Sequence, residues 1–216
     1  MSAPSSKKTS AAKLDLKKEL GVLYQCAPGK VVEVNVPSAD FLMADGEGDP
    51  NTNPHYAKAV EALFTLAYAL KFSIKKSRGL DYAVMPLEGL WWSDDMSTFT
   101  PANKADWKWT LLIRQTEFVD DSLFETVRAA LRRKKPTVAV DVVRFERFEE
   151  GACVQTLHVG PFSEEGPAVE KLHEYIRANG KRLSGRHHEI YFSDIRKAAP
   201  AKWRTIIRQP FVDRNP

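Results

Sequence analysis

Apolar and polar residues alternate in several short segments of the chain, and a period of two predicts β-strands. Residues 31–36 (VVEVNV) place valines on one face and Glu33 and Asn35 on the other, and Pro37 ends the segment. Further segments that we interpret as strands are residues 41–44, 82–87, 107–114, 142–148, 153–159, 188–193 and 203–209. The turn residues at 149–151 predict a hairpin between two of these strands.

Four other segments carry apolar residues at helical spacing. They are residues 14–24, 54–75, 120–135 and 164–179. In the longest, Leu63, Leu66 and Leu70 fall on one broad face, as expected for a helix that packs on a sheet. Gly79 and Gly180 follow two of the helices and are typical C-terminal caps.

A repeat is the most informative feature of the order of elements. The pattern W-x-x-[LI]-I-R-Q begins at Trp109 and again at Trp203, and both copies soon reach Phe-Val. We therefore predict an α+β fold with a duplicated strand–helix–strand–strand module, in which Trp109 and Trp203 occupy matching positions. The modules would span 31–119 and 142–212, joined by a connecting helix at 120–135.

Two such modules can merge into one antiparallel sheet with helices on one face. The seam between them is then a natural place for a central ligand cavity. We expect residues 14–216 to form this single domain, preceded by a polar tail, residues 1–13, whose composition is typical of disorder.

The predicted strand at 188–193 carries the most suggestive polar residues. A period of two puts Glu189, Tyr191 and Ser193 on one face, whereas the corresponding residues expected in the first module, Ala83, Met85 and Leu87, are apolar. One acid opposite an apolar wall suits an apolar ligand that carries a single polar or cationic group. The alternative is an ordinary solvent-exposed strand face.

Large aromatic residues crowd the first module between positions 91 and 109. They are Trp91, Trp92, Phe99, Trp107 and Trp109. Some must belong to the core, since tryptophan packs more often than it lines a pocket. Together with Met85 and Leu87, however, the four tryptophans are candidates to line a cavity that holds a flat ligand between rings.

Composition and missing motifs exclude several other classes of function. The five histidines lack metal-ligand spacing, and His187 and His188 should point to opposite faces of a strand, so we expect neither a metal nor a cofactor. The glycines at 46 and 48 lack the pattern of a phosphate-binding loop. Cys26 and Cys153 suit reduced thiols in a cytoplasmic protein.

Neither a nucleic acid nor a membrane is an expected partner. The net charge is +4, but its one dense basic run, residues 132–135, suits the end of a helix, where cations complement the dipole. No DNA-reading motif accompanies it. No segment reaches the roughly 18 apolar residues of a membrane span, and the N-terminus is not a secretory signal.

Three motifs and the flanking residues resemble the GyrI-like small-molecule-binding family over about residues 13–212. The motifs are residues 45–51 (DGEGDPN), 85–92 (MPLEGLWW) and 188–194 (HEIYFSD). Pro37, residues 41–43 and the Ile-Arg-Gln tail add to the similarity. The resemblance is greatest to stand-alone bacterial proteins, some of which hydrolyse cyclopropane-containing DNA-alkylating compounds.

This resemblance implies a cavity for flat, hydrophobic and often cationic compounds, with Glu189 as its buried polar anchor. In the hydrolase branch the acid at this position is catalytic and Tyr191 lies beside it. Two functions stay open: hydrolysis of strained cyclopropanes, and a non-catalytic binding module for hydrophobic cations. Binding to another enzyme ranks last, because the chain is basic rather than acidic.

Overall fold

The structure is a computed structural model that describes residues 13–96 and 99–214. The tail predicted to be disordered, residues 1–13, lies outside the described residues except for Lys13. In the described part there are four α-helices: α1 (Leu16–Glu19), α2 (Pro54–Arg78), α3 (Asp121–Lys134) and α4 (Gly166–Ala178). Its strands are β1 (Lys13–Leu14), β2 (Val32–Val36), β3 (Ala39–Glu47), β4 (Asp81–Tyr82), β5 (Leu87–Trp92), β6 (Lys108–Arg114), β7 (Arg144–Phe148), β8 (Gly151–Val159), β9 (Lys181–Leu183), β10 (His187–Tyr191) and β11 (Arg204–Asp213).

Nine of the described strands form one antiparallel sheet, so the α+β class predicted from the sequence is confirmed. Its order is β2-β8-β11-β10-β5-β6-β3-β7, and β9 pairs with the far end of β11. The strand pair β1–β4 forms a separate, parallel sheet of two strands. No helix in 13–96 or 99–214 is long and apolar enough to cross a membrane.

The two long helices that pack on the sheet lie on the same face. Leu63 and Leu66 of α2 belong to one core cluster with Leu111 of β6. Leu172 of α4 belongs to another with Ile207 of β11. Because residues paired across antiparallel strands point to the same side, the register from β6 to β11 puts both clusters on one face.

The predicted hairpin at 149–151 is wrong. Strands β7 and β8 follow one another in the chain, but β7 pairs with β3 and β8 pairs with β2. Likewise β2 precedes β3 without pairing to it. The first strand of each half therefore completes the sheet of the other half, an exchange that local turn residues cannot reveal.

The prediction that Trp109 matches Trp203 is also wrong, since Trp107 takes that place. Trp107 and Trp203 each follow a short 3-10 helix and begin an extended strand. The carbonyl of Trp107 accepts a hydrogen bond from Gly48, and that of Trp203 accepts one from Gly160. The repeated letters of the sequence are thus offset by two residues from the repeated structure.

The predicted strand at 82–87 is shifted in the structure to Leu87–Trp92. Asp81 and Tyr82 pair instead with β1, and Pro86, which has no N–H to donate, separates β4 from β5. With this correction the residue of the first module that corresponds to Glu189, and pairs with it across the seam, is Gly89 rather than Ala83.

Candidate functional site

The candidate site lies where the two halves of the sheet meet, at the pairing of β5 with β10. Glu189 is directly opposite Gly89, with the pairs His187–Trp91 and Tyr191–Leu87 on either side. This register is symmetric about the pair Glu189–Gly89. All these residues point to the face that carries α2 and α4.

Gly89 provides the space that its neighbours fill. A Cβ atom added at Gly89 would lie 2.6 Å from Nε1 of Trp91 and 3.1 Å from the hydroxyl oxygen of Tyr191. Any other side chain would displace one of these groups. Only one of the two opposed central positions therefore carries a side chain, and that side chain is the Glu189 carboxylate.

Hydrogen bonds fix the orientation of the groups around Glu189. Nε1 of Trp91 donates to the Tyr191 hydroxyl at 3.0 Å, and Nε2 of His187 lies 3.1 Å from Oε1 of Glu189. The side chain of Glu189 is 14% exposed. It is an accessible but largely desolvated acid, held between an imidazole and a phenol.

Two tyrosines beside Glu189 are kept in their neutral form. Burial raises the pKa of Tyr191 well above its usual value, and the charge of Glu189 raises it further. The pKa of Tyr56 on α2 is raised for the same two reasons. The Tyr56 ring also stacks on Trp91, with 6.1 Å between centroids, and so covers this side of the site.

Glu165, which sequence reasoning missed, is a second carboxyl at this site. It precedes α4 and is only 7% exposed, and its Oε1 has no hydrogen-bond partner among the described residues. Burial and the nearby charge of Glu189 raise the pKa of Glu165 to about 9. Its position before a helix suggests only a cap, so no local sequence signal distinguishes it.

Aromatic rings close the site from two sides. Trp107 meets Trp91 edge-on with 5.8 Å between centroids, and Phe99 lies against Trp107 at 4.6 Å. On the other side, Phe162 contacts the Tyr191 ring with centroids 5.6 Å apart. Phe162 precedes α4 at a position without periodic pattern, which is why the sequence did not point to it.

The other predicted lining residues differ in their placement. Leu87 is partly buried and lies directly across from Tyr191. Met85 is buried in the core before β5 begins. Trp109 is fully buried, and its ring lies against Gly46, so closely that any side chain there would overlap it. Trp109 therefore forms the floor of the core beneath the site.

Trp92 does not belong to this group of residues. It follows Trp91 in β5 and so points to the opposite face, where it packs with Leu90 and Leu112. There the guanidinium of Arg186 lies over the Trp92 ring, 3.6 Å from the centroid. The prediction counted neighbouring tryptophans together without separating the two faces.

Two cavities of about 550 and 470 Å³ open elsewhere on the described surface. The larger includes Trp92 and Arg186, and the smaller includes Tyr24 and Phe192. Neither is lined by Glu189. At the seam predicted to hold a central cavity, aromatic side chains lie on both sides of the partly exposed Glu189.

A buried ionic network lies on the opposite face, beneath the same strands. His188 bonds to Glu88 and Glu150, each at 3.0 Å, and Arg208 bonds to Glu150 at 3.1 Å. His187 and His188 thus point to opposite faces, as predicted. Among the described residues no group of three or more His, Cys, Asp or Glu side chains could hold a metal ion.

The duplicated antiparallel sheet and the acid among aromatic rings at its seam define a small-molecule-binding class of protein. The description "GyrI-like small molecule binding domain" applies to the family whose model matches residues 30–211. The chain belongs to this family.

Solved structures support the assignment. An uncharacterized conserved protein from Listeria innocua is 42% identical with a TM-score of 0.86, and a hydrolase from Listeria innocua is 40% identical with a TM-score of 0.81. Each match covers 93% of this chain and 100% of the other. The C-terminal domain of EcmrR, 12% identical with a TM-score of 0.55, covers 86% of this chain and 98% of its own and shares the fold. A search of curated proteins finds no match.

Proposed function

We propose that this protein binds flat, hydrophobic xenobiotics at the seam and hydrolyses strained cyclopropane-containing compounds there. The observation that carries the proposal is the Glu189 carboxylate, largely desolvated and held beside Tyr191 and His187. A relative of 40% identity is described as a hydrolase, which supports an enzyme rather than a passive carrier.

In this proposal the substrate lies between the rings of Trp91, Trp107 and Tyr56. Phe99 and Phe162 move aside to admit it, because they contact the site through side chains rather than through strand pairing. Leu87 and Met85 form the apolar wall of the first half. Flat compounds fit such a site since offset stacking between rings stabilises them.

The chemical step is an addition of water across one carbon–carbon bond. Water attacks the cyclopropane carbon while Glu189 accepts a proton from the water. The bond to the neighbouring ring carbon breaks, and its electron pair enters the conjugated dienone, which becomes a phenol once its oxygen is protonated. Tyr191 donates a hydrogen bond toward that oxygen. The site therefore acts mainly by positioning the substrate and polarising its dienone.

A second candidate function is the binding of hydrophobic cations without catalysis. The same carboxylate among aromatic rings favours it, because rings and an acid together stabilise a desolvated cation. The two candidates differ in their products, not in their contacts.

Mass spectrometry distinguishes the two candidates. The purified protein is incubated with a compound whose cyclopropane is fused through one carbon to a cyclohexadienone, beside a heat-inactivated sample. We expect the ring-opened adduct of one water to accumulate over many turnovers. If the substrate stays unchanged and a cationic dye binds at the seam, the protein is a non-catalytic binding module and not an enzyme.

A further inference from the structure

The unused carboxyl of Glu165 is the strongest feature that the mechanism above leaves without a role. It is buried, yet its Oε1 makes no hydrogen bond within the described residues. As the residue before α4 it could cap the helix, but its side chain accepts no capping hydrogen bond. A buried polar atom without a partner is costly and calls for a functional explanation.

The surroundings of Glu165 place it at the Glu189 site. The charged group with the largest effect on its pKa is Glu189, and Glu165 in turn raises the pKa of Tyr191. The Thr205 hydroxyl lies beside the Glu165 carboxyl and lowers its pKa, and Thr205 is paired with Tyr191 across β10 and β11. The unpartnered Oε1 of Glu165 thus lies on the Tyr191 side of the seam, where Phe162 contacts the Tyr191 ring.

Two carboxyl groups in one poorly solvated site do not both carry a charge. Glu189 is the more exposed of the two and has His187 beside it, and its charge adds to the effect of burial in raising the pKa of Glu165. Glu165 is then a neutral acid at pH 7. The other titratable groups on this face around the pair are Tyr56 from α2 and Tyr191 from β10, both neutral, and His158 from β8, which is paired with Thr205.

We propose that Glu165 is the general acid of the site and gives its proton to the substrate oxygen that becomes a phenol. The inference rests on the proposed function, since it supplies the proton that the ring opening requires. It goes beyond that function by assigning two catalytic roles to two glutamates, general base to Glu189 and general acid to Glu165.

The proton balance of the cycle then closes within the site. Glu189 takes a proton from the attacking water, the carbon–carbon bond breaks, and its electron pair reaches the dienone oxygen. The proton of Glu165 forms the new O–H bond there. Transfer of the proton from Glu189 to Glu165 afterwards restores the starting state, so no other reactant is needed.

Tyr191 is less suited to this role. Burial and the charge of Glu189 raise the pKa of Tyr191 well above its usual value. A phenol in this state can orient a substrate but loses its proton less readily than Glu165.

The test compares Glu165→Gln with Glu164→Gln, which changes the exposed acid next to it. Glutamine keeps the shape and a hydrogen-bond donor but cannot release a proton. We expect Glu165→Gln to lower kcat by about 10²-fold with little change in KM, the scale of losing a general acid. Glu164→Gln should behave like the wild type.

A second measurement does not depend on the folding of the variant. In the wild type, kcat should stay level through neutral pH and fall as the pH rises through about 9. If the wild type turns over substrate, either of two results would overturn the role of Glu165. One is a fully active Glu165→Gln variant, and the other is a wild-type kcat that stays constant beyond pH 10. No turnover by the wild type would instead overturn the proposed function, and the general acid with it.

Discussion

At the scale of single residues, Gly89 sets the geometry of the seam. Gly89→Ala would force Trp91 and Tyr191 away from the positions that bracket Glu189. We expect a loss of about 1–3 kcal/mol in the free energy of unfolding, typical of overpacking, and weaker binding of aromatic ligands. Urea denaturation and dye titration measure the two effects.

Gly166→Ala is the matched control for this change. A Cβ atom at Gly166 would meet no atom within 4 Å, and the residue lies at the start of α4. Its unfolding free energy should stay close to that of the wild type. Equal behaviour of the two variants would show that the Gly89 contact does not constrain the site.

Tyr191→Phe removes the acceptor of the Trp91 indole N–H while keeping the ring. Leaving that donor unsatisfied should cost about 1–3 kcal/mol of stability. Turnover should fall less than in Glu189→Gln, because water can replace the phenol as a donor to the substrate. Steady-state kinetics and chemical denaturation measure both, and a larger loss of turnover than in Glu189→Gln would make Tyr191 the principal catalytic group.

The sequence predicts some of these residues well and others not at all. Alternation along β10 is enough to place Glu189 and Tyr191 on one face. Glu165 and Phe162 lie before a helix, in a segment without a period, and only the packing of α4 onto the sheet brings them to the seam. Trp92 shows the converse, since composition suggested a pocket residue that alternation within β5 excludes.

At the scale of elements, the network beneath β10 joins β5, β11 and the segment before β8. Glu150 there balances the charges of His188 and Arg208, with its side chain 2% exposed. Glu150→Gln should cost about 3–5 kcal/mol, because it leaves buried cations uncompensated. Glu149→Gln, at the exposed neighbour, should change the free energy of unfolding little in the same denaturation experiment.

The network also predicts how stability depends on pH. Its acids, chiefly Glu150, raise the pKa of His188 from 6.5 to about 9 despite burial. A raised folded-state pKa stabilises the protein fully below pH 6.5, and this contribution is lost as the pH rises through 9. Denaturation between pH 6 and 10 should show that decline, and a stability that increases over this range would contradict the network.

Element boundaries were predictable where a periodic pattern extends over many residues. They were less predictable where a strand pairs with another strand that is distant in sequence. Helix α2 was expected at 54–75 and ends at Arg78, followed by Gly79 in the left-handed conformation. The position of β5 was missed because Asp81 and Tyr82 also suit a strand. Their partner β1 lies far away in sequence, so no local pattern assigns them to a different sheet.

At the scale of the whole molecule, the two halves depend on each other through exchanged strands. β2 pairs with β8 of the second half, and β7 pairs with β3 of the first. The sequence repeat predicted the duplication of elements but not this exchange, since strand partners are set by the sheet as a whole. The exchange and the β5–β10 pairing together hold the seam that carries Glu189.

The measurement that tests the account most directly is Glu189→Gln, assayed for both turnover and binding. The change keeps the shape of the side chain and removes its charge and basicity. For a cyclopropane substrate, turnover should fall by about 10²-fold or more, with the affinity for neutral substrate little changed. Affinity for a cationic dye should fall by about 1–3 kcal/mol, the scale of losing a charged partner. Wild-type turnover together with wild-type dye binding in Glu189→Gln would contradict the account and make this segment an ordinary strand.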